Sequence, residues 1–109
     1  MKIFSKLPCL AMLSFAFSVT AYAGDPERGQ QLSEPCVACH GADGVSVSPA
    51  FPHIAGQLEE YLYQALLDYK VGQRENAIMA PQAENLSRQD MKDLAAFYSQ
   101  QKGQLFLKR

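Results

Sequence analysis

Cys36-Val37-Ala38-Cys39-His40 constrains this chain more than any other stretch. The spacing C-x-x-C-H is the pattern by which a polypeptide holds a c-type haem. Two thiols three positions apart can add across the two vinyl groups of one porphyrin. The imidazole that follows then falls under the iron as its proximal ligand, and the second axial ligand sets what the metal does. Three other chemistries use part of this pattern. A thioredoxin-like dithiol needs a βαβ context, which the sequence lacks. A closed structural zinc site wants four ligands, and beyond the motif only His53 and Cys9 remain. A disulfide between Cys36 and Cys39 would be strained and would close almost no loop.

Residues 1–23 read as a cleaved signal peptide. Lys2 and Lys6 make a positive start, an apolar run extends from Leu7 to Val19, and Ala21-Tyr22-Ala23 supplies the small-x-small cleavage site. Cys9 falls inside this leader and is lost with it. The mature chain, 24–109, is one domain with a small core of its own, so a central cofactor would be structural as well as functional. Export also suits covalent haem attachment and indicates the periplasm. No apolar run in the mature chain is long enough to cross a bilayer. Cleavage removes two of the 10 basic residues and none of the 11 acidic ones, leaving 8 against 11, a net charge of −3. Such a balance argues against a nucleic-acid partner, which selects a basic face.

Helical signals dominate the mature part. Asp25-Pro26 opens a helix with a capping Asp and Pro at its first position, ending before Pro35. Gly29 inside it marks a close contact. Gly41 to Phe51 is a loop, and Phe51 to Gly56 is irregular. Leu58, Tyr61, Leu62, Ala65, Leu66 and Tyr69 form one apolar helix face that ends near Gly72. The spacing predicts a second irregular stretch from Gln73 to Leu86. A last helix opens at Ser87, with Met91, Leu94, Ala95 and Tyr98 as its buried stripe and Gly103 as its stop. No convincing strand is present.

A haem site raises the question of its second axial ligand, and three residues compete. Met79 lies in the irregular stretch, with one helix between it and His40, so the chain can cross to the other haem face. Met91 is explained by the apolar stripe of the last helix. His53, thirteen residues past His40, suits a polar contact near the haem edge or a solvent-exposed imidazole better than ligation.

In their order along the chain these residues resemble the class I c-type cytochromes. The likeness is to the small bacterial group that includes the halves of cytochrome c4 and the cytochrome c553 and c5 carriers. The matching segments are Cys36 to Gly44, Phe51 to Gln57, Tyr61-Leu62, Gly72-Gln73-Arg74, Asn76 with Met79, and Leu86 to Asp90. The resemblance implies an all-α fold, three main helices and loops wrapped around one covalent haem c per chain. It implies thioether links at Cys36 and Cys39, axial ligation by His40 and Met79, and a Pro52 carbonyl that accepts the Nδ1–H of His40. It also implies that Gly29 and Tyr98 sit where the first and last helices cross. His53 departs from the family pattern, and the tail Leu105 to Arg109 runs past the usual helix end.

The function expected from this likeness is one-electron transport between periplasmic redox proteins. A dehydrogenase or bc-type complex would be the donor, and a terminal oxidase or reductase the acceptor. The same fold also serves as a haem-bearing subunit of a periplasmic oxidoreductase complex. A haem peroxidase needs an open distal site, which Met79 argues against. A gas-binding protein of the four-helix c′ type carries its motif near the C-terminus, whereas here it lies near the mature N-terminus.

Overall fold

The computed structural model describes residues 23–104. The expected leader therefore lies outside the described residues except for Ala23, as does the tail from Leu105. Among the described residues five helices follow one another: α1 Pro26–Leu32, α2 Glu34–His40, α3 Glu59–Val71, α4 Met79–Glu84 and α5 Arg88–Ser99. No strand occurs among the described residues. The fold is all-α, with α1 and α3 both packed on α5 and α4 packed on α3.

α1 starts as its sequence requires. Asp25 accepts hydrogen bonds from the N–H groups of Glu27 and Arg28, and Pro26 occupies the first turn, where a missing N–H costs nothing. At Gly29 the backbone of α5 comes so near that a Cβ would lie 2.0 Å from the Asp93 carbonyl oxygen. Only glycine permits this approach. The crossing is then locked by polar contacts. Arg28 reaches Asp93 at 2.5 Å and Asp90 at 2.7 Å, and the Asp25 N–H donates to Asp93 at 2.8 Å.

α1 ends at Leu32, before Pro35 as expected, but a second helix follows directly. The chain bends at Ser33, whose hydroxyl and N–H both bond back to the Gln30 carbonyl, and α2 begins at once with Pro35 in its first turn. Proline is tolerated there for the same reason as at Pro26. The first difference from the sequence reading is that the whole C-x-x-C-H motif is helical. A second difference concerns Gln73 to Leu86, where α4 forms a short helix around Pro81. A third concerns the end of α5, which stops at Ser99, well before Gly103. Gly103 instead lies against Ala55 and Gly56.

α5 is the spine of the molecule. Ser87 and Asp90 form a reciprocal capping box at its start, with bonds of 3.0 and 2.9 Å. Leu94, Ala95, Phe97 and Tyr98 join Leu62 of α3 in one buried cluster, while Met91 is fully enclosed. At the α1–α5 crossing Gly29 faces Asp93 and Phe97, and Tyr98, whose ring lies against that of Phe97, also packs on Gly44.

Candidate haem site

The elements described above enclose one large cavity of about 510 Å³. Its wall is contributed by α2, the 50–57 segment, α3, α4 and α5. The apolar face of α3 supplies Tyr61, Leu62, Ala65, Leu66 and Tyr69. Leu58, counted with that face in the sequence, precedes the helix and is exposed. The α3 stripe thus covers a cavity rather than another helix. This explains how so short a chain has so few fully buried apolar side chains of its own.

Cys36, Cys39 and His40 all line the cavity. Cys36 and Cys39 are three apart on α2 and so share one face. Both are free thiols, and burial pushes the Cys36 thiol above its usual range. His40, the last residue of α2, is only 7 % exposed. Its Nδ1 lies 2.9 Å from the carbonyl oxygen of Pro52. A carbonyl only accepts, so Nδ1 carries the proton and Nε2 keeps its lone pair. Met79 lines the same cavity from the start of α4. The Asn76 carboxamide accepts the N–H groups of Ile78 and Met79, both at 2.9 Å, and so organises that helix start. The Lys70 ammonium donates to the Glu84 and Leu86 carbonyls at 2.8 and 2.5 Å, holding the other end of α4 to α3. Met91, by contrast, is core and does not border the cavity.

Three residues named from the sequence have contacts here that their positions along the chain did not disclose. The Tyr98 hydroxyl is buried at the cavity wall with no hydrogen-bond partner among the described residues, and burial raises its phenol well above the usual range. Arg74, among the described lining residues, is the one guanidinium, ammonium or carboxylate. Tyr69 and Tyr61 hold it, the first by its ring face at 4.9 Å and the second by its hydroxyl at 3.4 Å. The third is Asn76, whose place in the motif order gave no hint of its two backbone bonds. His53 also borders the cavity, where its Nδ1 accepts the N–H of Ser46.

The residues present fit a covalent haem. Two unpaired thiols share a helix face, an imidazole offers a free Nε2, a thioether is available, and the wall is apolar with a single cation. The cytochrome c family model matches residues 26–102, which spans all five helices. This chain belongs to the cytochrome c family. It is a class I c-type cytochrome of the cytochrome c4 group, and haem c, covalently held, supplies its electron-transport chemistry.

Cytochrome c-554(548) of Halomonas halodenitrificans is 43% identical over 82 residues, covering 72% of this chain and 99% of that one. The crystal structure of reduced recombinant cytochrome c4 from Pseudomonas stutzeri superposes with a TM-score of 0.70 at 44% identity. That match covers 73% of this chain and 47% of that one, so this cytochrome spans about half the length of cytochrome c4. The cytochrome subunit of sulfide dehydrogenase from Chlorobaculum tepidum is 33% identical over 98 residues, covering 84% of this chain and 88% of that one.

Proposed function

We propose that this cytochrome is an exported one-electron carrier whose haem is bound through Cys36 and Cys39 and axially ligated by His40 and Met79. Residues 1–23 are then the cleaved leader and 24–109 the mature periplasmic domain. No helix among the described residues is long and apolar enough to cross a membrane. The observation that carries the reading is the convergence of the motif face of α2 and the Met79 end of α4 on one cavity.

Haem c supplies a one-electron iron couple. The chain's own groups determine how that couple is held. Cys36 and Cys39 fix the ring edge to α2. His40 gives its Nδ1–H to Pro52, which orients the ring and leaves Nε2 to ligate. Met79 would bring a thioether, a weaker donor to ferric iron than imidazole, and so would favour a high potential. With His40 and Met79 both holding the iron, exogenous ligands would be shut out and the group would serve only to pass electrons on. The apolar faces of α3 and α5 exclude water. Donor and acceptor are periplasmic redox proteins, a dehydrogenase or bc-type complex on one side and a terminal oxidase or reductase on the other.

Mass spectrometry of denatured protein tests the attachment. One haem should survive denaturation on the natural chain and be lost from Cys36→Ser/Cys39→Ser. Carbon monoxide binding tests the axial assignment, because a six-coordinate carrier excludes it. The similarity to a sulfide dehydrogenase cytochrome subunit favours a second reading, in which the same domain is the haem subunit of an oxidoreductase complex. Gel filtration of the protein from its native source separates the two, since a free carrier elutes alone.

A further inference from the structure

His53 has a structural relationship that axial ligation does not use. Its Nδ1 accepts the backbone N–H of Ser46 at 2.9 Å. Ser46 is buried, and its hydroxyl already donates to the Ser48 carbonyl. Two more bonds join the same pair of segments. The N–H groups of Ile54 and Ala55 both donate to the Gly44 carbonyl, at 2.8 and 3.0 Å. Residues 44–46 are thereby laced to residues 53–55. The Pro52 carbonyl, which accepts from His40, belongs to the planar peptide that joins Pro52 to His53. Holding His53 therefore holds the plane that carries this carbonyl.

The lacing depends on protonation. Nδ1 accepts only while it bears no proton. A proton there sets a donor against the Ser46 N–H, a buried group that needs an acceptor. We propose that His53 is a positioning residue for the proximal ligand: by accepting the Ser46 N–H it locks the Pro52–His53 peptide, and protonation releases the lock, so that the haem potential responds to pH. The proposal rests on the reading of His40 as an axial ligand.

The sign follows from the ligand chemistry. A firm bond from Nδ1–H to Pro52 makes the imidazole more basic and favours ferric iron. Loosening that bond favours ferrous iron, so the potential rises as pH falls. A bare positive charge on His53 acts in the same direction, and the test must separate the two. The other ionisable groups on the segments packed here are few. Asp43 in the loop accepts the Val45 N–H, and His40 is committed to Pro52. Arg74, Tyr61, Tyr69, Tyr98, Cys36 and Cys39 border the shared cavity.

The experiment is a redox titration of the holoprotein over a pH series, with the Ser46 amide followed by NMR. It is run on the natural chain, His53→Asn and His53→Leu. Asn keeps an acceptor and cannot take a proton, whereas Leu has neither acceptor nor charge. In the natural protein the potential should rise on the acid side, and the Ser46 amide should shift with the same midpoint. His53→Asn should keep the alkaline potential and lose the pH step. His53→Leu should sit above His53→Asn at every pH, with faster exchange of the Ser46 amide. Equal potentials in the two variants would leave only a charge effect and overturn the proposal. A Ser46 amide indifferent to pH in the natural protein would also overturn it, and that measurement needs no variant to fold. Loss of the low-spin six-coordinate spectrum in the natural protein would instead strike the axial-ligand reading beneath it.

Discussion

Arg28 on α1 grips Asp93 on α5 at 2.5 Å, and Asp93 is 1 % exposed. Burial alone would push this carboxyl up. The Asp25 N–H, Arg28 and Gln89 outweigh burial and hold it below the usual carboxylate range. Asp90 is lowered too, first by the Ser87 N–H and then, against a smaller cost of burial, by Arg28. Both groups therefore bind protons less readily folded than unfolded. Their stabilisation is present above the ordinary carboxylate pKa and is lost as pH falls through the depressed folded values. These two carboxylates should give thermal melts an acid limb that falls below about pH 5. Asp93→Asn should flatten most of that acid limb, and Asp93→Ala should cost about 2 kcal/mol at neutral pH by orphaning its donors.

Gly29 makes a sharper prediction about the same crossing. A Cβ placed 2.0 Å from the Asp93 carbonyl oxygen must drive the two helices apart. Gly29→Ala should cost about 3 kcal/mol in denaturant unfolding despite the better helix propensity of Ala. An unchanged or higher midpoint would mean that α1 can slide freely on α5.

The two methionines should separate cleanly. Met79→Ala should admit carbon monoxide or cyanide with little loss of fold, and Met79→His should lower the midpoint potential, since imidazole is the stronger donor. Met91→Ala should cost roughly 2–5 kcal/mol of stability, as core truncations do, and leave the sixth position closed. Ligand-binding spectra and equilibrium melts of the three variants decide the assignment, and a swap of phenotypes would sink it.

Lys70 connects α3 to the helix that bears Met79. Its ammonium satisfies two carbonyls at the C-terminal end of α4, where a cation is also favoured by the helix dipole. Lys70→Met should keep the midpoint potential but speed exogenous ligand binding several-fold, because α4 is held less firmly. Stopped-flow cyanide binding to the ferric protein measures this, and an unchanged rate would show that Asn76 alone holds Met79.

Much of the molecule was legible because local chemistry decides it. Asp25-Pro26 and the Ser87/Asp90 pair satisfy helix N-termini from within a few residues, and the α3 stripe is a 3.6-residue repeat. C-x-x-C-H carries its ligand chemistry in five consecutive positions. Where expectation and structure diverge, the deciding contacts are distant in sequence. The stop before Pro35 holds, but Pro35 also fits the first turn of a new helix, so the sequence did not disclose that the C-x-x-C-H segment is helical. Pro81 and the lack of an apolar stripe hide α4, which Asn76 starts and Lys70, from another helix, finishes.

The sequence by itself determined that this chain is helical, that it carries one C-x-x-C-H motif at Cys36 to His40, and that it is a cytochrome by the order of its motifs. Tertiary structure alone decided what surrounds that group. It set the lacing of His53 to Ser46, the tyrosine grip on Arg74 and, among the described residues, the unpartnered Tyr98 hydroxyl, while the 2.9 Å contact of His40 with Pro52 is the one the resemblance implied. The reason is one of range. Caps, periodicity and covalent motifs act within a few residues. Hydrogen bonds between loops and the wall of a cavity join groups whose separation along the chain carries no pattern, and they exist only once the helices have crossed at Gly29.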